Sequence, residues 1–208
     1  MRYNFCKLLS ALALFVLISN QALAQEETKK QSYQAAPYCQ FTISFPEAPE
    51  IRRVCEEGDQ SMCYDLISFI KVFDMASTVR VDIICNPSNE KLYNHLTTDE
   101  MRRTVREMSK ESVVEAFEIN AREEEEYRQA ALVGKGRAGM EDTILLAQLW
   151  SGKTSLMSVE AELSGIQMDE ADQLFASILR SISFIGDLEA QSKEETPATV
   201  EEETPAAK

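Results

Sequence analysis

The sequence predicts an α+β domain: a mainly antiparallel sheet with helices packed on it. Two observations predict this. Segments of period-2 apolar alternation come in consecutive pairs parted by short turn signals. Only two segments carry helical periodicity, and both follow strand pairs instead of alternating with them, so a parallel βαβ sheet is not expected. The chain has 208 residues, 44% hydrophobic and 27% charged, the composition of an ordinary globular protein, which excludes collagen-like, mostly disordered and multi-span membrane classes. Its formal net charge of -14 opposes attraction to a phosphate backbone, so nucleic acid is not an expected partner.

The elements follow in order. Phe41-Thr-Ile-Ser-Phe45 alternates, Pro46-Glu-Ala-Pro49 breaks it, and Ile51 to Cys55 resumes extended character, which reads as a first hairpin. Met62 to Phe73 is rich in aromatic and branched residues, and Thr78 to Cys85 sets Val79, Val81 and Ile83 on one face, giving a second hairpin that turns near Asp74 to Ser77. Thr97 and Glu100 have capping-box spacing ahead of Met101, Val105 and Met108, which predicts a helix over about 98–116. Phe117, Ile119 and Ala121 alternate again, Glu123 to Glu126 is polar, and Tyr127 to Val133 leads to an expected glycine-rich turn at Gly134 to Gly139. Thr143 to Trp150, the turn Ser151-Gly152-Lys153 and Thr154 to Leu163 form a further hairpin. Asp169 is read as the cap of a closing helix over about 169–182, with Ala171, Leu174, Phe175, Ile178 and Ile182 on one stripe.

The two ends differ from this domain. Arg2 and Lys7, the apolar run Leu8 to Ile18 and Ala22-Leu23-Ala24 have the order of a secretory signal peptide, with cleavage expected after Ala24. The apolar run is too short to span a bilayer, which needs about 20 residues, so no stable membrane insertion is expected after cleavage. The small positive n-region and Ala-x-Ala end point to a bacterium and to the periplasm. Residues 25–36 read as an unstructured leader, 37–186 as one domain, and 187–208 as a disordered acidic tail with seven acids, two lysines and two prolines.

FTISFPEAP, the meander, the mid-chain helix, the hairpin with turn WSGK and the closing ILRSISF together resemble the PsbP-like α/β/α sandwich, over about residues 40–185. That family, named after the extrinsic photosystem protein, includes small bacterial exported proteins of mostly unassigned role. The resemblance implies a fold and brings no catalytic motif with it. The cysteines lie outside its pattern.

Cys39, Cys55, Cys63 and Cys85 remain after cleavage, an even number in an exported domain, which favours disulfides. If the first hairpin turns around Glu47 and the second around Asp74, Cys39 faces Cys55 and Cys63 faces Cys85, and these are the expected bridges. The rival pairing joins Cys55 to Cys63 and Cys39 to Cys85. No Cys-x-x-Cys or added His spacing supports a metal, and no cofactor is expected.

Gly134-Lys-Gly-Arg-Ala-Gly139 matches G-x-G-x-x-G literally, with Glu160 about twenty residues on, but no βαβ unit surrounds it, so it reads as a hairpin turn. Ser151-Gly152-Lys153-Thr154 echoes a phosphate loop whose first glycine is replaced by Ala147. Lys135, Arg137 and Lys153 are expected at positive loop tips, as candidate partner contacts on an acidic domain. His95 is the single histidine and no nucleophile elbow accompanies it. The expected function is therefore an exported, non-catalytic binding or assembly module with an envelope protein partner. The alternative is a periplasmic hydrolase with a carboxylate-based site, and a pocket with converging perturbed carboxylates would favour it. Intact-mass analysis of the exported protein is expected to show a chain that begins at Gln25; a chain retaining residues 1–24 would overturn the periplasmic reading.

Overall fold

The strand pairs assemble into one seven-stranded antiparallel sheet. Its spatial order is β3 (Glu50–Glu56), β4 (Asp59–Phe73), β5 (Ser77–Pro87), β9 (Ser155–Gly165), β8 (Glu141–Gly152), β7 (Tyr127–Ala138) and β6 (Val113–Glu123). The computed structural model describes residues 31–56, 59–138 and 141–187. The expected signal peptide, the start of the leader and the tail beyond Asp187 lie outside the described residues.

Each face of the sheet is partly covered. On one face lie a three-stranded sheet, β1 (Gln31–Gln34), β2 (Phe41–Phe45) and β10 (Ser183–Phe184), and helix α3 (Asp169–Arg180). The buried Phe41, Ile43 and Phe45 of β2 pack in one core with Ile67, Val81 and Val159 of the large sheet. On the other face, helix α2 (Thr98–Ser109) sets Met101 and Val105 against Ala130, Leu132, Ala147 and Leu149 of β7 and β8. The result is the α+β arrangement expected from the sequence, with an antiparallel sheet between outer layers. Among the described residues no helix is long and apolar enough to cross a membrane.

Several local expectations are corrected. β2 does not pair with β3 in a first hairpin; it is the middle strand of the small sheet, between β1 and β10. All three inward side chains of β2 are buried, which needs a covering layer, and Pro46 and Pro49 lack the N–H donors to continue a ladder. Part of the expected unstructured leader, Gln31–Gln34, forms β1. α2 ends at Ser109 instead of near 116, because the β-branched pair Val113-Val114 already belongs to β6. Asp169 is the first helical residue of α3; its cap is Met168, without a side-chain bond, and Ile182 lies beyond the helix. A helix the periodicity did not reveal, α1 (Glu90–His95), is capped by Asn89, and Arg128 donates to Tyr93 O and lies 4.3 Å over the Tyr93 ring.

Gly134 and Gly136 sit inside β7, not in a turn. A Cβ on Gly134 would come within 2.6 Å of Val113 Cγ1, and one on Gly136 within 2.6 Å of Ser112 O. The glycines let the bulged edge strand β6 cross β7 closely.

The four cysteines form Cys39–Cys85 and Cys55–Cys63, which corrects the expected pairing. The reason is register. β3 and β4 place Cys55 directly opposite Cys63, while Leu66 opposite Ile84 is the last β4–β5 pair, so Cys63 never reaches Cys85. Cys39, released from any hairpin with β3, enters the core and joins the small sheet to the end of β5. Cys39 and Cys85 are buried whereas Cys55 is exposed.

The β4–β5 turn holds two left-handed residues, Asp74 (φ 48) and Met75 (φ 56), the geometry that favours Asn-Gly. Trp150, the single tryptophan, packs with Phe41, Tyr127 and the covering guanidinium of Arg122.

Two outcomes follow. Mild reductant should open Cys55–Cys63 before Cys39–Cys85, and replacing the Cys39–Cys85 pair by Ser should cost more stability, about 4 against about 2.5 kcal/mol from loop closure. Thermal melts and thiol-labelling mass spectrometry check both; the reverse order would contradict the layer-joining role of Cys39–Cys85. Asp74→Asn with Met75→Gly should raise stability by about 1 kcal/mol in denaturant titration, and an unchanged or lower midpoint would contradict the turn assignment.

Candidate functional site

The side of the sheet that carries α2 is only half covered. Helix α2 lies over β6, β7 and β8, and among the described residues no helix packs on this face of β4, β5 and β9 beside it, nor of the edge strand β3. Strand alternation decides what they present. The outward residues are Leu66, Ser68, Ile70 and Val72 on β4, Arg80, Asp82 and Ile84 on β5, and Glu160 and Glu162 on β9. Ile70 and Val72 are 56% and 53% exposed, while their neighbours Ile67 and Phe69 point into the core.

Where this open half meets α2, a groove of about 180 Å³ forms between the sheet and Met108, Ser109 and Ser112. Its floor carries Arg80, Asp82, Glu160 and Glu162. Register sets Asp82 directly opposite Glu160 and Arg80 opposite Glu162. Like charges facing across a ladder are destabilising, so the pair needs compensation. Asp82 has it: Arg80 donates from Nε at 2.9 Å and from Nη2 at 2.7 Å, and Ser68 Oγ donates to its other oxygen. Glu160 and Glu162 have no ion pair among the described residues. Partial desolvation at the groove floor, and then the charge of Asp82, hold the Glu160 carboxyl above the usual carboxylate range, against the opposing pull of Arg80.

This constellation is only partly visible in the sequence. Glu160 stands out there as a distant acid after the glycine pattern, and the structure assigns it to the groove instead. Arg80-Val-Asp82 and Glu160-Ala-Glu162 each carry their signal in a two-residue spacing, charges on the off-core phase of apolar strands. That β5 neighbours β9 is not legible from spacing, because a long stretch of chain parts Asp82 from Glu160 and only the folded register brings them together.

The basic residues expected to act together are apart. Lys135 and Arg137 are strand residues near the end of β7, paired with Ile144 and Asp142, not loop tips. Lys153 lies in the β8–β9 turn, at the other end of β8 and about 30–35 Å away at the rise of a strand. Its ammonium is bound to Glu126 at 2.8 Å, a hydrogen bond that holds its proton more firmly than usual. The Glu123 to Glu126 run is likewise engaged, with Glu123 on Arg128 and Glu126 on Lys153. His95 ends α1 on the surface. Among the described residues no three metal-ligating side chains converge.

No family model matches the chain, and no curated protein matches it in sequence. In structure it is similar to cyanobacterial PsbP from Synechocystis sp. PCC 6803, at 14% identity and a TM-score of 0.49, over 80% of this chain and 99% of that one. It is also similar to the Ran-binding protein Mog1p of Saccharomyces cerevisiae, at 8% identity and a TM-score of 0.38, over 75% of this chain and 95% of that one. Both likenesses are of fold alone.

The raised Glu160 carboxyl has a signed consequence. A folded-state value above the unfolded one means the folded protein binds this proton more tightly, so stability from this group falls as pH rises from the ordinary carboxylate range through the raised value. Glu160→Gln should therefore raise the melting temperature at pH 7, with the gain shrinking towards pH 4; a gain larger at pH 4 than at pH 7 would contradict the groove electrostatics.

Proposed function

We propose that the protein is an exported, non-catalytic binding module that works by contact with another protein of the periplasm. The observation that carries the binding reading is the open half-face: Ile70 and Val72 stand exposed on a strand whose inner neighbours are locked in the core. Exposed apolar side chains grouped on a rigid surface mark interaction sites. Export is supported by the n-region, apolar run and Ala22-Leu23-Ala24, and by the two disulfides, which persist in oxidising compartments. Lys135 and Arg137 serve in this reading as a separate contact, distant from Lys153.

A second reading, a periplasmic hydrolase with a carboxylate-based site, is favoured by one observation. Glu160, with its proton held above the usual range, faces Asp82 across the ladder, the kind of unequal carboxyl pair that general acid catalysis uses. The two readings part in one experiment. A chain beginning at Gln25 is used to capture partners from envelope extract, beside the Ile70→Ser, Val72→Ser variant, and both are assayed on periplasmic esters, glycans and peptides. Capture lost in the variant, without turnover, supports the binding module; turnover abolished by Glu160→Gln overturns it in favour of the hydrolase.

A further inference from the structure

We infer that the open half-face beside α2 binds one basic amphipathic helix of a partner protein. This deepens the binding reading and rests on it. The first argument is width. β4, β5 and β9 span about 10 Å at roughly 4.8 Å per strand, and an α-helix with its side chains is about 10 Å across. Beyond Ser68, where the edge strand β3 has ended and β4 is the outermost strand, the place left free next to α2 is therefore one helix wide.

The second argument is the pattern on that floor. Along β4 runs an apolar rail, Leu66, Ile70 and Val72, which ends at Met75 in the turn. Met75 is 96% exposed and sits at φ 56, a conformation a glycine would take without strain. An apolar side chain is thus displayed at the end of the rail where folding alone favours none. Along β9, two strands away, runs an acidic rail, Glu160 and Glu162. Arg80 is occupied by Asp82, so the floor presents three carboxylates to one guanidinium.

Charge complementarity chooses the occupant. A helix with an apolar stripe on the β4 rail and lysines or arginines towards β9 would bury Ile70 and Val72 and give Glu160 and Glu162 the cations they lack. The chain's own residues 187–208 are a poor occupant, since seven acids would meet the acidic rail.

The test uses the chain from Gln25 to Lys208 and a labelled helical peptide of about 15 leucine and lysine residues, with lysines flanking an apolar stripe. A scrambled peptide of the same composition and a peptide with glutamate for lysine serve as companions, and anisotropy gives the Kd. The patterned lysine peptide should bind best. Glu160→Gln with Glu162→Gln should weaken it about tenfold or more, as should Ile70→Ser with Val72→Ser, whereas Glu115→Gln with Glu125→Gln, which removes equal charge from exposed sites elsewhere, should change it less than about twofold. Circular dichroism confirms that each variant is folded. Equal loss in both glutamate pairs, equal binding of the scrambled peptide, or no binding of the lysine peptide would overturn the inference. If envelope capture through Ile70 and Val72 persists in the last case, the binding module stands and only its basic-helix partner falls.

Discussion

Burial of one side of β2 against the large sheet is the constraint on which the rest of the structure depends. Phe41, Ile43 and Phe45 leave the large sheet and press onto it from outside, so the molecule has a second layer at all. From that one placement come the recruitment of Gln31–Gln34 as β1, the closing of the chain on β2 by Phe184, and the meeting of Cys39 with Cys85. Side-chain bonds secure the joint: Ser155 Oγ accepts from Gln40 N, and Ser181 Oγ accepts from Ser44 N. Apolar burial positions the layer, and these polar contacts fix its register.

What the sequence reveals follows from the range of each signal. Period-2 alternation is local, so Phe41–Phe45, the β4–β5 hairpin and the β8–β9 hairpin are legible residue by residue. Capping of α2 by Thr97 is legible for the same reason. Partner choice between strands is not local. The alternation of β2 is equally consistent with pairing to β3 or with crossing to another layer, and the disulfide pairing inherits that ambiguity. The glycines of β7 mislead in a similar way, because a glycine that admits a crossing strand looks like one that makes a turn.

The candidate site follows the same logic. Two charged pairs with two-residue spacing are visible on β5 and β9, but their convergence depends on the β5–β9 ladder, whose strands are separated by two helices and three other strands in the chain. Glu160 stands where partial desolvation and like charge work against it, and local disagreement between charge and environment is common at sites that meet other molecules.

The position of Trp150 has an optical consequence. The indole lies on the seam where Phe41 of the small sheet meets the large one, its Nε1 donating to Gln148 and its ring beneath Arg122. Its emission is thus a built-in gauge of whether the two layers remain closed. The open half-face is on the opposite side of the sheet, so an occupant there leaves the indole's surroundings in place, and separation of the layers changes them. One fluorophore, native to the chain, distinguishes loss of architecture from occupancy of the surface.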